Sequence, residues 1–211
     1  RISAAQGIQF NKSELMATEH GVYVDSTFNK VFDASIRELT PDKLFQGKQS
    51  IVITEKIANK YFKNENPLGQ TLYLEVDPIL KTGKQPFLIT AVIRDFPSNS
   101  SIKADYLLPF ELLSSLSKEP LDEKWGNFQY YIYFLLKPGS NPAQVAQQLT
   151  AIQKGNFQGN PLYTKFAFFL QKITQTNLYT PKGDDSGMQS VYIFSIIALV
   201  ILLVACINYV N

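Results

Sequence analysis

The sequence predicts an α+β domain followed by a single transmembrane helix, and three observations support this prediction. Short runs of aromatic and β-branched residues, typical of strands, alternate along the chain with capped amphipathic stretches that are typical of helices. The chain carries 15 Phe and 11 Tyr among its 211 residues, which favours a sheet-rich domain. The last stretch, from Ser186 to Asn211, contains no Asp, Glu, Lys, Arg or His.

Within this uncharged stretch, Val191–Val210 can form a helix of roughly 30 Å, the thickness of the hydrocarbon core of a bilayer. Tyr192 and Tyr209 lie near its two ends, where interfacial aromatic residues are favoured. The alternative is a fully buried helix of a soluble protein, but such a helix usually shows a polar stripe and this one shows none. We therefore expect the chain to be part of a longer membrane protein. The residues that mark the predicted span are Val191, Leu199, Leu203 and Asn208.

Charge and cysteine content exclude several classes of protein. The chain has 20 basic and 18 acidic residues, a net charge of +2, which argues against an electrostatically driven nucleic-acid binder. The basic residues are scattered along the sequence, so no polybasic lipid-binding cluster is predicted. Cys206 is the single cysteine and lies in the apolar tail, which leaves the rest of the chain without disulfide or thiol chemistry.

The first half of the chain shows two strand-to-helix transitions. Val22–Val24 predicts a short strand, and Asp25–Thr27 supplies N-cap residues for a short helix after it. Ser50–Thr54 is a short apolar run with β-branched residues, which predicts a buried strand. Thr54 is expected to cap the following helix, Glu55–Lys63.

A β-hairpin is predicted next. The turn before it contains Gly69, which follows Pro-Leu and is expected to adopt a positive φ. Gln70–Val76 and Phe87–Phe96 then alternate apolar and polar residues, as the two strands of a hairpin do. One face of the second strand is predicted to carry Phe87, Ile89, Ala91 and Ile93.

The second half of the chain predicts a strand–helix–strand unit. Pro109–Leu116 is read as a helix with proline at its first position. Gln129–Lys137 is apolar or aromatic on both faces and is predicted to be a central strand. A helix, Pro142–Ile152, follows it, with Asn141 as its predicted N-cap, and then a second aromatic strand, Lys165–Ile173. The arrangement is typical of a split βαβ unit in an α+β fold.

No catalytic, cofactor-binding or metal-binding residues are predicted. The single histidine, His20, lies on a turn without other ligands at metal-binding spacing. The chain has neither a nucleophile elbow with triad partners nor a phosphate-binding loop. We therefore expect a binding or force-transmitting module without cofactors, and a membrane-tethered enzyme of unrelated fold is the weakest alternative.

Several blocks of the sequence resemble the MacB-like periplasmic core domain. Ser50–Leu72 resembles its signature, in which a strand and a helix with a terminal aromatic pair lead into a Pro-x-Gly turn. Phe87–Phe110 looks like the next block of that family, a strand that runs into a D-x-P-x-N-S loop. Val22–Phe32 is similar to versions of the domain found in ABC transporter permeases of the Bacteroidetes, and Cys206–Tyr209 resembles the end of the membrane helix that follows the domain. The motif positions in this chain are Tyr61, Phe62, Pro67, Gly69, Asp95, Pro97 and Asn99.

The resemblance implies a two-lobed extracytoplasmic domain over residues 1–187, followed by a transmembrane helix over 188–211. The membrane-proximal, porter-like lobe would comprise about 1–49 and 117–187, and an inserted distal lobe about 50–116. The family belongs to the MacB, LolC and FtsX class of permeases in the bacterial inner membrane, with the domain on the periplasmic side.

The resemblance also implies a function and partners. A separate ABC ATPase subunit would hydrolyse ATP in the cytoplasm, and a permease dimer would convert this into periplasmic movement, called mechanotransmission, with a periplasmic adaptor or cargo as a further partner. The cargo would be a drug, a peptide or a lipoprotein-like molecule, and nucleic acid is not expected as a partner. An FtsX-like signalling or scaffold module that controls a cell-wall hydrolase is the alternative.

Overall fold

The structure is a computed structural model, and the chain forms two compact units, Arg1–Leu135 and Leu136–Asn211. The residues that the structure describes are 1–5, 9–11, 17–32, 36–39, 43–63, 65–75, 83–117, 121, 130–156, 165–176, 179 and 186–210.

The first unit contains a mixed β-sheet and three helices among the described residues. The strands are β1 (Ile2–Ala5), β2 (Gln9–Asn11), β3 (Ala17–Thr18), β4 (Gly21–Val24), β5 (Ile36–Leu39), β6 (Ser50–Thr54), β7 (Thr71–Glu75), β8 (Lys84–Ile93) and β9 (Tyr106–Pro109). The helices are α1 (Phe28–Val31), α2 (Glu55–Phe62) and α3 (Phe110–Leu116). The predicted α+β class is confirmed.

The sheet runs in the order β1-β4-β9-β6-β8-β7-β2-β3, and β5 pairs with β8 beside this path. The pairs β4/β9 and β6/β8 are parallel, and the other pairs are antiparallel. The predicted hairpin is confirmed as β7 and β8, with Leu72 beside Phe87. Strands from residues 1–39 pair with strands from 50–109 in this one sheet. The lobe boundary expected near residue 49 therefore does not coincide with an edge of the sheet, and the division into lobes stays a prediction.

The apolar strand β6 is buried, as its sequence predicts, and lies between β9 and β8 near the centre of the sheet. All five of its residues are buried, and two hydrophobic clusters share it. Ile51 and Ile53 belong to the cluster that also contains Ile57 and Phe62 of α2. Val52 belongs to the second cluster, which includes Phe28 of α1. Each such side chain contributes roughly 1.5–3 kcal/mol when it is buried, so β6 holds both clusters together.

A β-bulge in β8 corrects the prediction that Phe87, Ile89, Ala91 and Ile93 share one face. Ile51 pairs with Ile89 but Val52 pairs with Ala91, so Thr90 is an extra residue in the β8 strand. The extra residue reverses the alternation. Phe87 and Ile89 consequently lie in the first cluster and Ala91 in the second. The hydroxyl of Thr90 is buried and donates a hydrogen bond to the Leu44 carbonyl at 2.7 Å.

The second unit contains α4 (Pro142–Asn156), a 3₁₀ turn (Ile173–Gln175) and the C-terminal helix α5 (Ser186–Val210). The Asn141 side chain accepts a hydrogen bond from the backbone N–H of Ala143 at 2.9 Å, so the predicted cap of α4 is confirmed. Proline at the first helical position suits this start, because that position has no intrahelical N–H bond to lose.

The two aromatic strands predicted around α4 are wrong as sheet elements. Of Gln129–Lys137, Gln129 lies outside the described residues, and Tyr131 makes only an isolated bridge with Ile2. Its side chain is 71% exposed, so a central position is excluded. Lys165 and Ile173 lie in 3₁₀ turns, the residues between them have no regular secondary structure, and none of the stretch joins a sheet among the described residues. Aromatic composition favours a strand, yet a strand forms only where partner backbone lies beside it. The split βαβ unit is thus confirmed only in its helix.

The start of α3 also differs from the prediction. Pro109 is the last residue of β9 and the N-cap of α3, and Phe110 is the first helical residue. Proline lacks the N–H that a longer β9 would need, so the strand ends there and the helix begins.

Candidate functional site

The described residues hold no group of three or more His, Cys, Asp or Glu side chains that could bind a metal. His20 is exposed, as predicted, and its backbone N–H donates to Asp105 Oδ2 at 3.0 Å. Within that part of the chain, the features that organise the molecule are the ion pairs around α2, the motif turn after it and the apolar helix α5.

Three ion pairs join α2 to three different parts of the first unit. Glu55 at its start pairs with Arg37 of β5, with Nε and Oε1 2.6 Å apart. Lys56 Nζ lies 2.8 Å from Asp105 Oδ1, just before β9. Lys60 pairs with Glu19, just before β4. The three ion pairs therefore connect α2 to β5 and to the segments that precede β4 and β9.

The Lys56–Asp105 pair shifts both pKa values. Partial burial of the Asp105 carboxyl opposes its ionisation, but hydrogen bonds from Lys56 and the His20 backbone outweigh this and lower its pKa. The hydrogen bond to Asp105 raises the pKa of Lys56. Both groups are charged at neutral pH, so the pair holds α2 across the physiological range.

The motif residue Asp95 caps α2, whereas the sequence analysis assigned this capping to Thr54. Thr54 occupies the N-cap position but makes no side-chain capping hydrogen bond. Asp95 Oδ1 instead accepts a hydrogen bond from the backbone N–H of Lys56 at 2.9 Å. A carboxylate here also suits the positive end of the helix dipole. The cap comes from 39 residues further along the chain, so local sequence gave no signal of it.

The other motif residues divide into an inner and an outer group. Phe62 is 3% exposed in the first cluster, and the hydroxyl of Tyr61 lies 3.2 Å from Glu19 Oε1, within hydrogen-bond distance. Pro67 is buried, and Gly69 has a φ of +74°, which confirms the predicted positive value. The Gly69 N–H donates to the Ile89 carbonyl at 3.0 Å and so ties the turn to β8. The outer group is exposed on the loop after β8 and consists of Pro97 and Asn99.

Helix α5 has the length and composition of a membrane span. Residues Gly187–Tyr209 form an apolar stretch with a mean hydropathy of 2.9, and the window that defines it is not buried inside the structure. Its 25 residues correspond to a length of about 37 Å. The predicted span residues Val191, Leu199 and Leu203 are 45%, 58% and 53% exposed, and Asn208 is exposed as well. An apolar helix without a protein cover fits a lipid environment.

Comparison with known families decides where the chain belongs. Residues 2–152, more than half of the chain, match the MacB-like periplasmic core domain. The chain belongs to this family. The resemblance seen in the sequence is thereby confirmed, and the chain is a periplasmic domain of a MacB/FtsX-like ABC transporter permease, with a helix long enough to cross a membrane. The family is a permease component and is not itself an enzyme.

Two solved structures share the fold. A domain described as that of a permease from Porphyromonas gingivalis matches with a TM-score of 0.55 at 18% identity and covers 82% of this chain and 78% of its own. The periplasmic region of MacB from Actinobacillus actinomycetemcomitans matches with a TM-score of 0.50 at 17% identity, covering 83% of this chain and 73% of its own. At such identities the likeness shows the fold alone. A comparison with curated proteins finds no match.

Proposed function

We propose that this chain transmits movement between the membrane and the periplasm in an ABC transporter permease. A separate ATPase subunit hydrolyses ATP on the cytoplasmic side, and a permease dimer carries the resulting shift of α5 to the periplasmic domain. There it acts on cargo or on an adaptor protein at the inner membrane. The observation that carries this proposal is α5, an apolar helix of 25 residues that follows a MacB-like domain in one chain.

The connector between domain and helix is short enough for such coupling. Ten residues, from Thr176 to Asp185, separate the 3₁₀ turn from α5. They include Pro181, which restricts the backbone, and Gly183, which loosens it. A short connector passes on a tilt or translation of the helix better than a long flexible one, since flexible chains behave as coils.

The motif positions have a structural part in this proposal. Asp95, the aromatic pair at the end of α2 and the turn at Gly69 fix α2 and β8 relative to each other. We propose that they keep the periplasmic domain rigid, so that movement reaches the distal lobe (about 50–116) undamped. Pro97 and Asn99, exposed on their loop, are available for contact with an adaptor.

The coupling can be tested by lengthening the connector. A flexible Gly-Ser insert of about ten residues, placed between Lys182 and Gly183, should abolish cargo export while the domain stays folded. A matched control carries the same insert beside the exposed Gly83, in the loop before β8, where export should persist. The assay uses cells or vesicles that contain the partner ATPase and the complete permease.

Export at the wild-type rate with the lengthened connector would show that α5 does not transmit the movement. If the protein is an FtsX-like scaffold, the same insert should instead abolish activation of a cell-envelope hydrolase. The readout that responds therefore separates transport from signalling.

A further inference from the structure

The second unit carries an exposed aromatic segment that the proposed function does not use. This aromatic segment, residues 165–172, reads Lys-Phe-Ala-Phe-Phe-Leu-Gln-Lys. Phe166, Phe168 and Phe169 are 48%, 37% and 54% exposed, and the lysines at the two ends are exposed. Three large, partly exposed apolar rings within four residues form an apolar surface patch of the kind that marks an interaction site.

The aromatic segment is held in place on α4. The backbone N–H of Phe168 donates to the Thr150 hydroxyl at 2.9 Å. The segment and α4 line a groove of about 670 Å³, in which Phe168 and Phe169 face Ala146 and other residues of the helix. The backbone N–H of Phe168, in the middle of the segment, is therefore already hydrogen-bonded. A partner strand cannot form an unbroken ladder of backbone hydrogen bonds along that edge of the segment.

In the sequence, the charges on both sides of the aromatic segment are of one sign as far as Asp184 and Asp185, which directly precede α5. From Lys124 to Gly183 the sequence contains six lysines and no Asp, Glu or Arg. The remaining residues, 1–123 and 184–211, hold all 18 acidic residues of the chain. The lysines were read as scattered, but without intervening carboxylates they give this stretch an uncompensated positive charge. Its partner should therefore be anionic.

The chain also limits how far the aromatic segment can be from α5. Thirteen residues, 173–185, lie between Lys172 and the start of α5 at Ser186. Fully extended they span at most about 45 Å, and the 3₁₀ turn at Ile173–Gln175 shortens this reach. If α5 crosses a bilayer, the segment is tethered at high effective concentration to the surface of that bilayer.

From these observations we propose that the aromatic segment is a lipid-binding element that docks on the anionic surface of the bilayer that α5 crosses. Lys165 and Lys172 contact lipid phosphates, and the phenyl rings enter the interface between headgroups and acyl chains. Lysines that flank an apolar face are typical of interfacial segments. The inference requires α5 to span the membrane, but it does not depend on coupling to ATP hydrolysis.

The test uses the whole chain in lipid nanodiscs, with one tryptophan as reporter. The chain has a single Trp, at position 125, so Trp125→Phe combined with Phe168→Trp places the only indole in the aromatic segment. In nanodiscs that contain phosphatidylglycerol, brominated lipids should quench this indole and its emission should shift to the blue. In nanodiscs of phosphatidylcholine alone, both effects should be weak.

Lysine variants of the reporter protein measure the electrostatic part. Lys165→Gln with Lys172→Gln should weaken docking by roughly 25-fold, about fivefold for each lysine near the surface. A matched pair in the first unit, Lys84→Gln with Lys103→Gln, removes the same charge elsewhere and should leave quenching unchanged. Circular dichroism checks the fold of each variant.

Amide hydrogen exchange of the unmodified chain gives a second readout that needs no substitution. Exchange over residues 165–172 should be slower in the phosphatidylglycerol nanodiscs than in the neutral ones. Equal exchange and an unquenched, water-exposed indole in both lipids would overturn the proposal. So would an indole shielded from water but not quenched by brominated lipid, since protein, such as a second copy of the chain, would then cover the segment. Quenching that is unchanged when both lysines are replaced by glutamine would also overturn the proposal.

Discussion

Strand β8 and the aromatic segment have similar compositions and opposite surroundings. β8 is paired with β5, β6 and β7, and its Phe87 is 0% exposed. The aromatic segment has no regular secondary structure after Lys165 and joins no sheet among the described residues, and Phe169 is 54% exposed. The difference shows that an aromatic, apolar stretch forms a buried strand only where other strands lie beside it.

Replacing one phenylalanine in each region should give the largest contrast. Phe87→Ala removes a fully buried ring and should cost about 3–5 kcal/mol of unfolding free energy. Phe169→Ala removes a ring that is mostly in solvent and should cost less than about 1 kcal/mol. Denaturant unfolding in mild detergent, followed by circular dichroism, measures both. Equal losses would mean that the aromatic segment is as deeply packed as β8.

Replacing one glycine in the sheet and one in α4 compares a tightly packed position with an open one. A Cβ built on Gly21 would lie 2.1 Å from a ring carbon of Tyr106, which is fully buried in the paired strand β9. Gly21→Ala should therefore destabilise by roughly 1–3 kcal/mol or more. Gly155→Ala, near the end of α4, meets nothing within 4 Å and should be neutral or stabilising by up to about 1 kcal/mol.

A double-mutant cycle identifies the cause at Gly21. On a Tyr106→Leu background the ring is gone, and Gly21→Ala should cost clearly less than it does alone. The same cost on both backgrounds would place the strain in the β4 backbone and not in the contact with Tyr106.

Gly69 tests the effect of backbone conformation alone, because a β-carbon added there would not clash with any neighbouring atom. Its φ is +74° and a Cβ there would meet nothing within 4 Å, so any loss comes from the backbone alone. Gly69→Val should cost roughly 1–3 kcal/mol, whereas Gly69→Asn should cost less because asparagine tolerates this region. Thermal melts of the two variants compare them directly. A melting curve of Gly69→Val that matches wild type would show that the turn adapts to a β-carbon.

Asp95 and Asn99 are motif positions in the same loop, but only Asp95 caps a helix. Asp95→Ala removes the cap of α2 and should cost about 1 kcal/mol. Asn99→Ala, a few residues further along the same loop, should change stability by less than about 0.5 kcal/mol. Chemical denaturation of both proteins decides, and an equal effect would contradict the capping role of Asp95.

The smallest expected effect is on the pH dependence of folding stability, through the Lys56–Asp105 pair at α2. A carboxyl whose pKa is lowered by folding stabilises the folded state above its unfolded pKa, and the gain is lost as pH falls through the folded pKa. For Asp105 the loss should begin below about pH 4. Asp105→Asn should show a smaller fall of Tm over this acidic range. Parallel curves for both proteins would mean that the Lys56–Asp105 pair adds no stability.

Sequence reasoning succeeded where local pattern is sufficient. The buried run Ser50–Thr54, the hairpin of β7 and β8, the Asn141 cap and the positive φ at Gly69 all depend on neighbours within a few residues. The length and apolarity of α5 were readable in the same way.

Features that depend on distant parts of the chain were missed. The capping of α2 by Asp95 joins residues 39 apart, and the ion pair of Lys56 with Asp105 joins residues 49 apart. The Gln129–Lys137 and Lys165–Ile173 predictions failed for the same reason, because periodicity does not show whether a partner strand is present. The bulge at Thr90 was hidden as well, since an extra residue becomes visible only in the pairing register.

The bulge at Thr90 also has a consequence for how the family can vary. The side chains of β8 alternate between the two clusters and the bulge shifts this alternation by one residue, so the number of residues in β8 sets which side chains enter each cluster. A relative that lost one residue here would exchange side chains between the two clusters over half of the strand. Insertions and deletions should therefore be excluded from β8 during evolution, and a sequence alignment of the family should place its gaps in the loops on either side of the strand.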